Sequence, residues 1–103
     1  MATKREGKEG VAIQERGKTA RPRRFRVLLF NDDYTTQEFV IDVLQSIFRK
    51  SPAEATQIML KVHREGRGVA GVYPKDVAET KILLVHDAAR DAGFPLRAGL
   101  EEE

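Results

Sequence analysis

The chain has 103 residues, of which 41% are apolar, and this fits one small domain with a single modest core. It contains no cysteine, which excludes disulfides, thiolate zinc sites and thiol nucleophiles. The longest apolar stretches, such as residues 82–85, are far too short to span a membrane, and no hydrophobic signal-peptide segment follows the amino terminus, so we expect a soluble, cytoplasmic protein.

Charge is distributed unevenly along the chain. Residues 1–26 carry nine Lys or Arg and three Glu, a net charge of +6, whereas the remainder carries nine basic and thirteen acidic residues, a net charge of −4. Bulky apolar side chains are scarce in residues 1–24: Met1, Val11 and Ile13. Such a composition cannot pack a core, so it predicts a flexible, disordered basic extension ahead of a core domain at residues 25–103.

A basic extension also allows another interpretation. Lys and Arg bind nucleic acid by releasing its counterions, so a nucleic-acid-binding module acting through this extension is the main alternative function. No aromatic residue precedes Phe25, however, and single-stranded nucleic acid is usually held by stacking on aromatic rings. Binding to nucleic acid is therefore the less favoured interpretation.

The first predicted elements are a strand and a helix. The sequence FRVLLF (25–30) is rich in β-favouring residues and predicts a strand. TTQE then matches a capping box, with Thr35 at the N-cap and Glu38 at the third helical position. In the helix that follows, apolar residues recur at three-to-four-residue spacing: Phe39, Val40, Val43, Leu44, Ile47 and Phe48.

A second helix begins immediately afterwards. The sequence SPAE predicts a cap at Ser51, a proline in the first turn and Glu54 at the third position. The helix is expected to end at Gly66. Its predicted inward-facing residues recur with helical spacing: Ala55, Ile58, Met59 and Val62.

The rest of the chain predicts a strand, a helix and a short last strand. GVAGVY (68–73) is expected to be the second strand, and the third helix is expected at 75–92 with Gly93 as its stop. FPLRAGL (94–100) predicts the last strand, which Pro95 favours at a sheet edge. The order β-α-α-β-α-β predicts an α+β fold, with a three-stranded antiparallel sheet packed against three helices.

Three polar residues lie at the junction of the first strand and the first helix: Asn31, Asp32 and Asp33. One interpretation is turn chemistry, because Asn and Asp side chains bond to nearby backbone groups. Thr35 already provides the predicted cap, however, and two adjacent carboxylates repel each other unless a cation is near. The cluster therefore also indicates a site for a cationic group.

Histidine provides the second candidate. His63 follows Met59 by four residues, so both project from one face of the second helix. With Asp32 and Asp33 it could form a carboxylate–imidazole metal site, but the spacing matches no metal motif, and no nucleophile is tied to it by spacing. A metal-dependent hydrolase is therefore only a distant alternative. His86 is expected at the surface, on the polar side of the third helix.

Three segments together resemble the ClpS adaptor family of the bacterial N-degron pathway: LLFNDDYTTQEFVIDVL, ATQIMLKVHREGRGVAGVY and DVAETK. The resemblance runs from about Phe25 to Leu100, and it is the combination in this order that is specific. It implies a binding protein that is not an enzyme and needs no cofactor. Such adaptors bind proteins whose first residue is Leu, Phe, Tyr or Trp and deliver them to a hexameric AAA+ unfoldase, ClpA or a ClpC-type relative, for degradation by ClpP.

The resemblance also implies a substrate site. Asn31 and Asp33 would accept hydrogen bonds from the α-amine of the substrate, with His63 acting as a neutral acceptor or through water, and Asp32 would add negative potential nearby. Gln37 would stand at the mouth of the pocket, where family members usually have Met. The remaining residues match family positions that line the apolar cavity for the first side chain: Thr35, Val40, Met59, Val62 and Leu96.

A third implication concerns delivery. Asp76, Glu79 and Lys81 would belong to the face that docks on the N-terminal domain of the unfoldase, although an ordinary solvated charged face would look the same in sequence. Pro74 stands where a Thr commonly caps the third helix, which would shift the first turn by a residue or so. The flexible extension is needed for delivery in the family. We expect a monomer that does not contact the membrane.

Overall fold

Residues 22–103 are described by the computed structural model. They form β1 (Arg24–Phe30), α1 (Gln37–Ser46), α2 (Pro52–Glu65), β2 (Arg67–Pro74), α3 (Lys75–Ala92) and β3 (Arg97–Glu102). The strands make one antiparallel sheet in the order β2-β1-β3. The predicted α+β class, element order and edge position of the last strand are therefore confirmed. The predicted extension lies mostly outside the described residues. β1 begins at Arg24, one residue before the predicted start of this strand at Phe25.

The core lies between one face of the sheet and the three helices. Phe25, Val27 and Leu29 alternate along β1 and are buried, and α1, α2 and α3 pack over them. The largest completely buried side chains mark the centre of this core: Leu29, Leu44, Val27 and Val85. Because side chains alternate along a strand, Arg26, Leu28 and Phe30 lie on the opposite face of the sheet. None of the helices in the described part of the chain is long and apolar enough to cross a bilayer.

The predicted start and stop of α2 are confirmed. The Ser51 hydroxyl accepts a hydrogen bond from the Glu54 backbone N–H at 3.2 Å, and the Glu54 carboxylate accepts from the Ser51 backbone N–H at 3.2 Å. This reciprocal pair satisfies donors that every helix start leaves unpaired. Gly66 ends the helix with φ 91°, a left-handed conformation that strongly favours glycine. Gly93 ends α3 in the same way, with φ 80°.

The predicted cap of α1 at Thr35 is wrong by one residue. The N-cap is Thr36, whose hydroxyl accepts a hydrogen bond from the Phe39 backbone N–H at 3.1 Å. Thr35 instead donates its hydroxyl to the Asp32 carboxylate at 2.7 Å. Either of the two adjacent threonines could cap the helix. The hydrogen bond of Thr35 to Asp32 in the preceding loop leaves Thr36 as the cap, and sequence spacing alone does not reveal this.

Two predictions for the last third of the chain also need correction. His86 is not a plain surface residue: it is half-buried, and its Nε2 accepts a hydrogen bond from the Ala98 backbone N–H at 3.0 Å, tying α3 to β3. The last strand begins at Arg97 rather than at residue 94. The Phe94 backbone N–H donates a hydrogen bond to the Ala89 carbonyl at 2.8 Å at the end of α3, and the centre of its ring lies 4.9 Å from that of Phe39.

Pro74 does replace a side-chain cap, but it does not shift α3. The N-cap residue is Pro74, which provides no side-chain hydrogen bond, and the helix begins at Lys75 as predicted. Val77, an apolar residue in the first turn of this helix, is 39% exposed.

Candidate functional site

The loop between β1 and α1 is held in shape by Asp32. Its Oδ1 accepts hydrogen bonds from the backbone N–H groups of Tyr34 at 2.9 Å and Thr35 at 2.7 Å, and its Oδ2 accepts the Thr35 hydroxyl. Partial burial raises the pKa of Asp32, but these three hydrogen bonds outweigh it and leave the pKa below its ordinary value. Asp32 is therefore a carboxylate whose acceptor sites are largely used by its own loop, and turn chemistry explains it well.

Asn31 and Asp33 differ from Asp32 in this respect. Both are exposed, and within residues 22–103 neither side chain makes a hydrogen bond. The backbone N–H of Asn31 does bond, to the Gly66 carbonyl at 2.9 Å, which joins the start of this loop to the end of α2. The loop thus presents one amide and one carboxylate whose acceptors are available to a ligand.

A cavity of about 220 Å³ opens beside this loop. Typical small-molecule sites measure roughly 300–1,000 Å³, so this cavity has room for little more than one side chain. It is lined by residues of the loop, α1 and α2: Asn31, Asp32, Asp33, Thr35, Gln37, Val40, Met59, Val62 and His63. The structure therefore brings together nine of the ten residues that the sequence assigns to amine and side-chain binding.

Two helices build the apolar wall of the cavity. Met59, Val62 and His63 lie three and four residues apart on α2, so they share one face, and Gln37 and Val40 share a face of α1 in the same way. Met59, Val62 and Val40 are buried. His63 is exposed at the rim, as are Asn31 and Asp33. The result is an apolar interior with hydrogen-bond acceptors at its edge.

Leu96 is the predicted site residue that the structure does not bring to this cavity. It is 3% exposed, belongs to the core and borders a different surface depression together with His86 and Phe94.

The charged residues predicted to dock on a partner lie in the first turns of α3, but they differ from one another. Asp76 and Glu79 are exposed and border a shallow groove with Pro74. Lys81 is half-buried, and its ammonium group donates a hydrogen bond to the Ile47 carbonyl at 2.7 Å. That group also lies 5.6 Å from the centre of the Tyr73 ring. Lys81 is therefore a structural tie between α3 and the end of α1, and sequence reasoning missed this contact because 34 residues separate the two partners.

Sequence reasoning also missed a second cavity at the same loop. This cavity, of about 570 Å³, shares residues 31–33 with the first and is otherwise lined by Phe30, Tyr34, Pro95 and Arg97. The sequence feature that could have indicated this cavity is Tyr34, a large side chain between the acidic cluster and α1. In the structure this side chain is 78% exposed. Among the residues that the structure describes, no group of three or more His, Asp or Glu side chains could hold a metal ion.

Known proteins are similar to this chain in sequence and in fold. The family model for the ATP-dependent Clp protease adaptor protein ClpS matches residues 20–99. This chain belongs to the ClpS family. It is 63% identical over 93 residues to the ClpS adapter of Desulfatibacillum aliphaticivorans, covering 90% of this chain and 89% of that protein. It is 59% identical over 90 residues to the ClpS adapter of Wolinella succinogenes, covering 87% of this chain and 88% of that protein.

A solved ClpS structure has the same fold. The structure of Agrobacterium tumefaciens ClpS2 bound to L-phenylalaninamide matches with a TM-score of 0.78 and 43% sequence identity, over 81% of this chain and 100% of that chain. ClpS proteins are adaptors of the Clp protease, so the membership assigns this chain a binding role in Clp-dependent proteolysis.

Proposed function

We propose that this protein binds substrates that begin with Leu, Phe, Tyr or Trp, through their α-amine and first side chain. It then delivers them to an AAA+ unfoldase, ClpA or a ClpC-type relative, for degradation by ClpP in the cytoplasm. The observation that carries this proposal is a set of acceptors that make no hydrogen bond within residues 22–103, beside a cavity of about 220 Å³ that has an apolar wall. Neither feature alone would select the first residue of a chain.

The acceptors suit a protonated α-amine. Such an amine is a cation with three N–H donors, and Asn31, Asp33 and His63 offer an amide oxygen, a carboxylate and an imidazole nitrogen at the rim of one cavity. Charged hydrogen bonds of this kind are stronger than neutral ones. Asp32 contributes its negative charge, while its oxygen atoms remain committed to the loop. An internal residue of a protein has no α-amine and would leave the acceptors unpaired.

The apolar wall suits a large first side chain. Val40, Met59 and Val62 are buried and line the cavity beside the hydrogen-bond acceptors of residues 31, 33 and 63. The ligand of the Agrobacterium tumefaciens relative supports this assignment, because L-phenylalaninamide carries an α-amine, a phenylalanine side chain and an amide in place of the carboxylate. It is thus a small copy of the first residue of a peptide.

The test of amine recognition is acetylation. A fluorescent peptide beginning with Phe should bind, and its N-acetylated form should bind weaker by about 1–3 kcal/mol, roughly five- to 150-fold, because acetylation removes the charge and leaves the acceptors unpaired. Titration by fluorescence anisotropy measures both. A peptide with Phe moved to the second position controls for affinity due to the aromatic ring alone. Equal affinity of the acetylated and unacetylated forms would contradict the proposal.

For delivery we propose the exposed start of α3. Asp76 and Glu79 have no role in the core, and they lie on a part of the surface that the peptide does not occupy. A surface carrying exposed carboxylates suits a basic patch on the N-terminal domain of the unfoldase, and such charges act mainly on the association rate. Substrate and unfoldase can therefore be bound at the same time.

A further inference from the structure

The loop that joins α3 to β3 is fastened at both ends, and the two fastenings differ chemically. At the end of α3, the Phe94 backbone N–H donates a hydrogen bond to the Ala89 carbonyl at 2.8 Å. At the start of β3, the Ala98 backbone N–H donates to Nε2 of His86 at 3.0 Å. The first bond joins two backbone groups, which do not titrate. The acceptor of the second is an imidazole, which does.

The Ala98 N–H depends on His86 because of its position in the sheet. β3 is an edge strand, and Ala98 lies opposite Leu29 of β1. In an antiparallel pair, only alternate residues direct their N–H groups to the neighbouring strand. The Ala98 N–H points to α3, hence away from β1, and the imidazole is its acceptor in the part of the chain that the structure describes. Ala98 is buried, so loss of this acceptor leaves a buried donor unpaired, which is costly.

The contact requires a neutral imidazole. Nε2 accepts a hydrogen bond only when it carries no proton, so the single ring proton lies on Nδ1. An imidazolium carries a proton on both nitrogens and would set a donor against the Ala98 N–H. Imidazoles usually take up this proton between about pH 8 and pH 5. Mild acid therefore acts on this fastening and leaves the backbone bond at the other end of the loop unchanged.

The charged groups around His86 do not replace the lost bond. Arg90 of α3 and Arg97 of β3 line the same surface depression of about 410 Å³ as His86, and both would repel an imidazolium. Asp87, the next residue on α3, lies 2.7 Å from the Arg90 guanidinium and is already paired. The loop between α3 and β3 contributes no charged side chain. Because His86 is half-buried and borders this depression, a proton from solvent can reach its ring.

We propose that the His86–Ala98 contact is an acid-sensitive fastening between α3 and β3, made while His86 is neutral and released when its imidazole takes up a proton. Release leaves the loop fastened at its α3 end, so the start of β3 separates from α3 more often, and the buried Leu96 between them gains access to solvent. This inference is independent of the proposed function, because neither His86 nor Ala98 lines the apolar cavity.

Amide hydrogen exchange of the full chain, followed by NMR at pH 7.5 and pH 5.5, tests the proposal. Dividing each intrinsic exchange rate by the measured rate gives a protection factor that is corrected for pH. In the unchanged protein we expect the protection of Ala98 to fall about three- to tenfold on acidification, the range for one hydrogen bond. The Phe94 amide is the internal reference, and its protection should stay constant, because its acceptor is a backbone carbonyl.

Two variants separate His86 from other effects of acid. In H86Q the side-chain amide oxygen can accept in place of Nε2 but does not titrate, so Ala98 should have the same protection at both pH values. H63Q removes the other histidine of the chain, which lines the apolar cavity, and should keep the fall. An equal fall in H86Q, an equal fall at Phe94 in the unchanged protein, or loss of the fall in H63Q would each overturn the proposal.

Discussion

The loop between β1 and α1 (residues 31–36), which we call the acceptor loop, and the first turns of α3 both carry clustered charge, yet the structure uses that charge differently. In the loop, Asp32 is bonded internally, and the side chains of Asn31 and Asp33 are left open beside an apolar wall. On α3, Lys81 is bonded internally and two carboxylates stay exposed over a shallow groove. In each region one charged residue supports the scaffold while its neighbours face outward. The loop adds a concave apolar surface, which suits a small chemical group, whereas α3 suits another protein surface.

The largest expected effect separates the two regions directly. D33A should weaken binding of a Phe-initiated peptide by about 1.5–3 kcal/mol, the cost of losing a hydrogen bond to a charged group, and should leave unfoldase binding unchanged. E79A should weaken unfoldase binding and leave peptide affinity unchanged. Peptide affinity is measured by fluorescence anisotropy and unfoldase binding by calorimetry. D42A, which removes an exposed carboxylate of α1 outside the cavity, is the control. If D33A and D42A behave alike, Asp33 does not bind the amine.

A smaller effect tests whether Lys81 belongs to the scaffold. K81M removes the hydrogen bond to the Ile47 carbonyl, so the free energy of unfolding should fall by about 1 kcal/mol and Tm by roughly 4–8 °C. Peptide affinity should not change. K75M, at an exposed lysine of the same helix, should have little effect on stability. A stable K81M variant that loses unfoldase binding would instead place Lys81 in the docking face.

A further prediction concerns Gln37, which lies at the mouth of the cavity. It lies three residues before Val40 and lines the cavity, and its amide resists desolvation unless it is hydrogen-bonded. A Met at this position would close the mouth against β-branched side chains. We therefore expect Q37M to raise the preference for Leu over Ile as first residue by about 1 kcal/mol. The ratio of the two peptide affinities is the measurement, and an unchanged ratio would mean that residue 37 does not gate the cavity.

The smallest effect concerns the loop scaffold and appears only in acid. The pKa of Asp32 is lower in the folded protein than its ordinary value, despite the opposing effect of burial, because of hydrogen bonds from Thr35 and Tyr34. Stability from this carboxylate is therefore present above the pKa of the unfolded chain, about 3.9, and is lost as the pH falls through the lower folded value. The stability difference between the unchanged protein and D32N should shrink below about pH 4 in urea titrations. A constant difference from pH 6 to pH 2 would refute this.

The sequence predicts those parts of the fold that depend on neighbouring residues. The alternation along β1, the reciprocal cap of Ser51 and Glu54 and the glycine at 66 are all local signals, and the structure confirms each of them. The resemblance to a family adds what local signals cannot, namely that Asn31 and His63 meet across 32 positions of chain. Their roles in binding stay predictions.

The errors share a different cause. The hydrogen bonds of His86 to Ala98 and of Lys81 to Ile47 join side chains to backbone groups 12 and 34 residues away. Such bonds depend on how the helices dock on the sheet, which hydrophobic periodicity does not specify. Leu96 is assigned to the cavity by family position alone; it belongs to the core and does not line the cavity, and its role in binding stays a prediction.

The hydrogen bond from the Asn31 N–H to the Gly66 carbonyl has a kinetic consequence. It fastens the acceptor loop to the end of the helix that carries His63, so donors on a ligand find both halves of the site already at their working separation. Little ordering entropy is then lost when a chain terminus arrives, and little rearrangement delays its capture. We therefore expect association to be fast and affinity differences among first residues to appear mainly in the dissociation rate. Under the proposed function, such an adaptor would sample many chain ends quickly and retain the few whose first side chain fits.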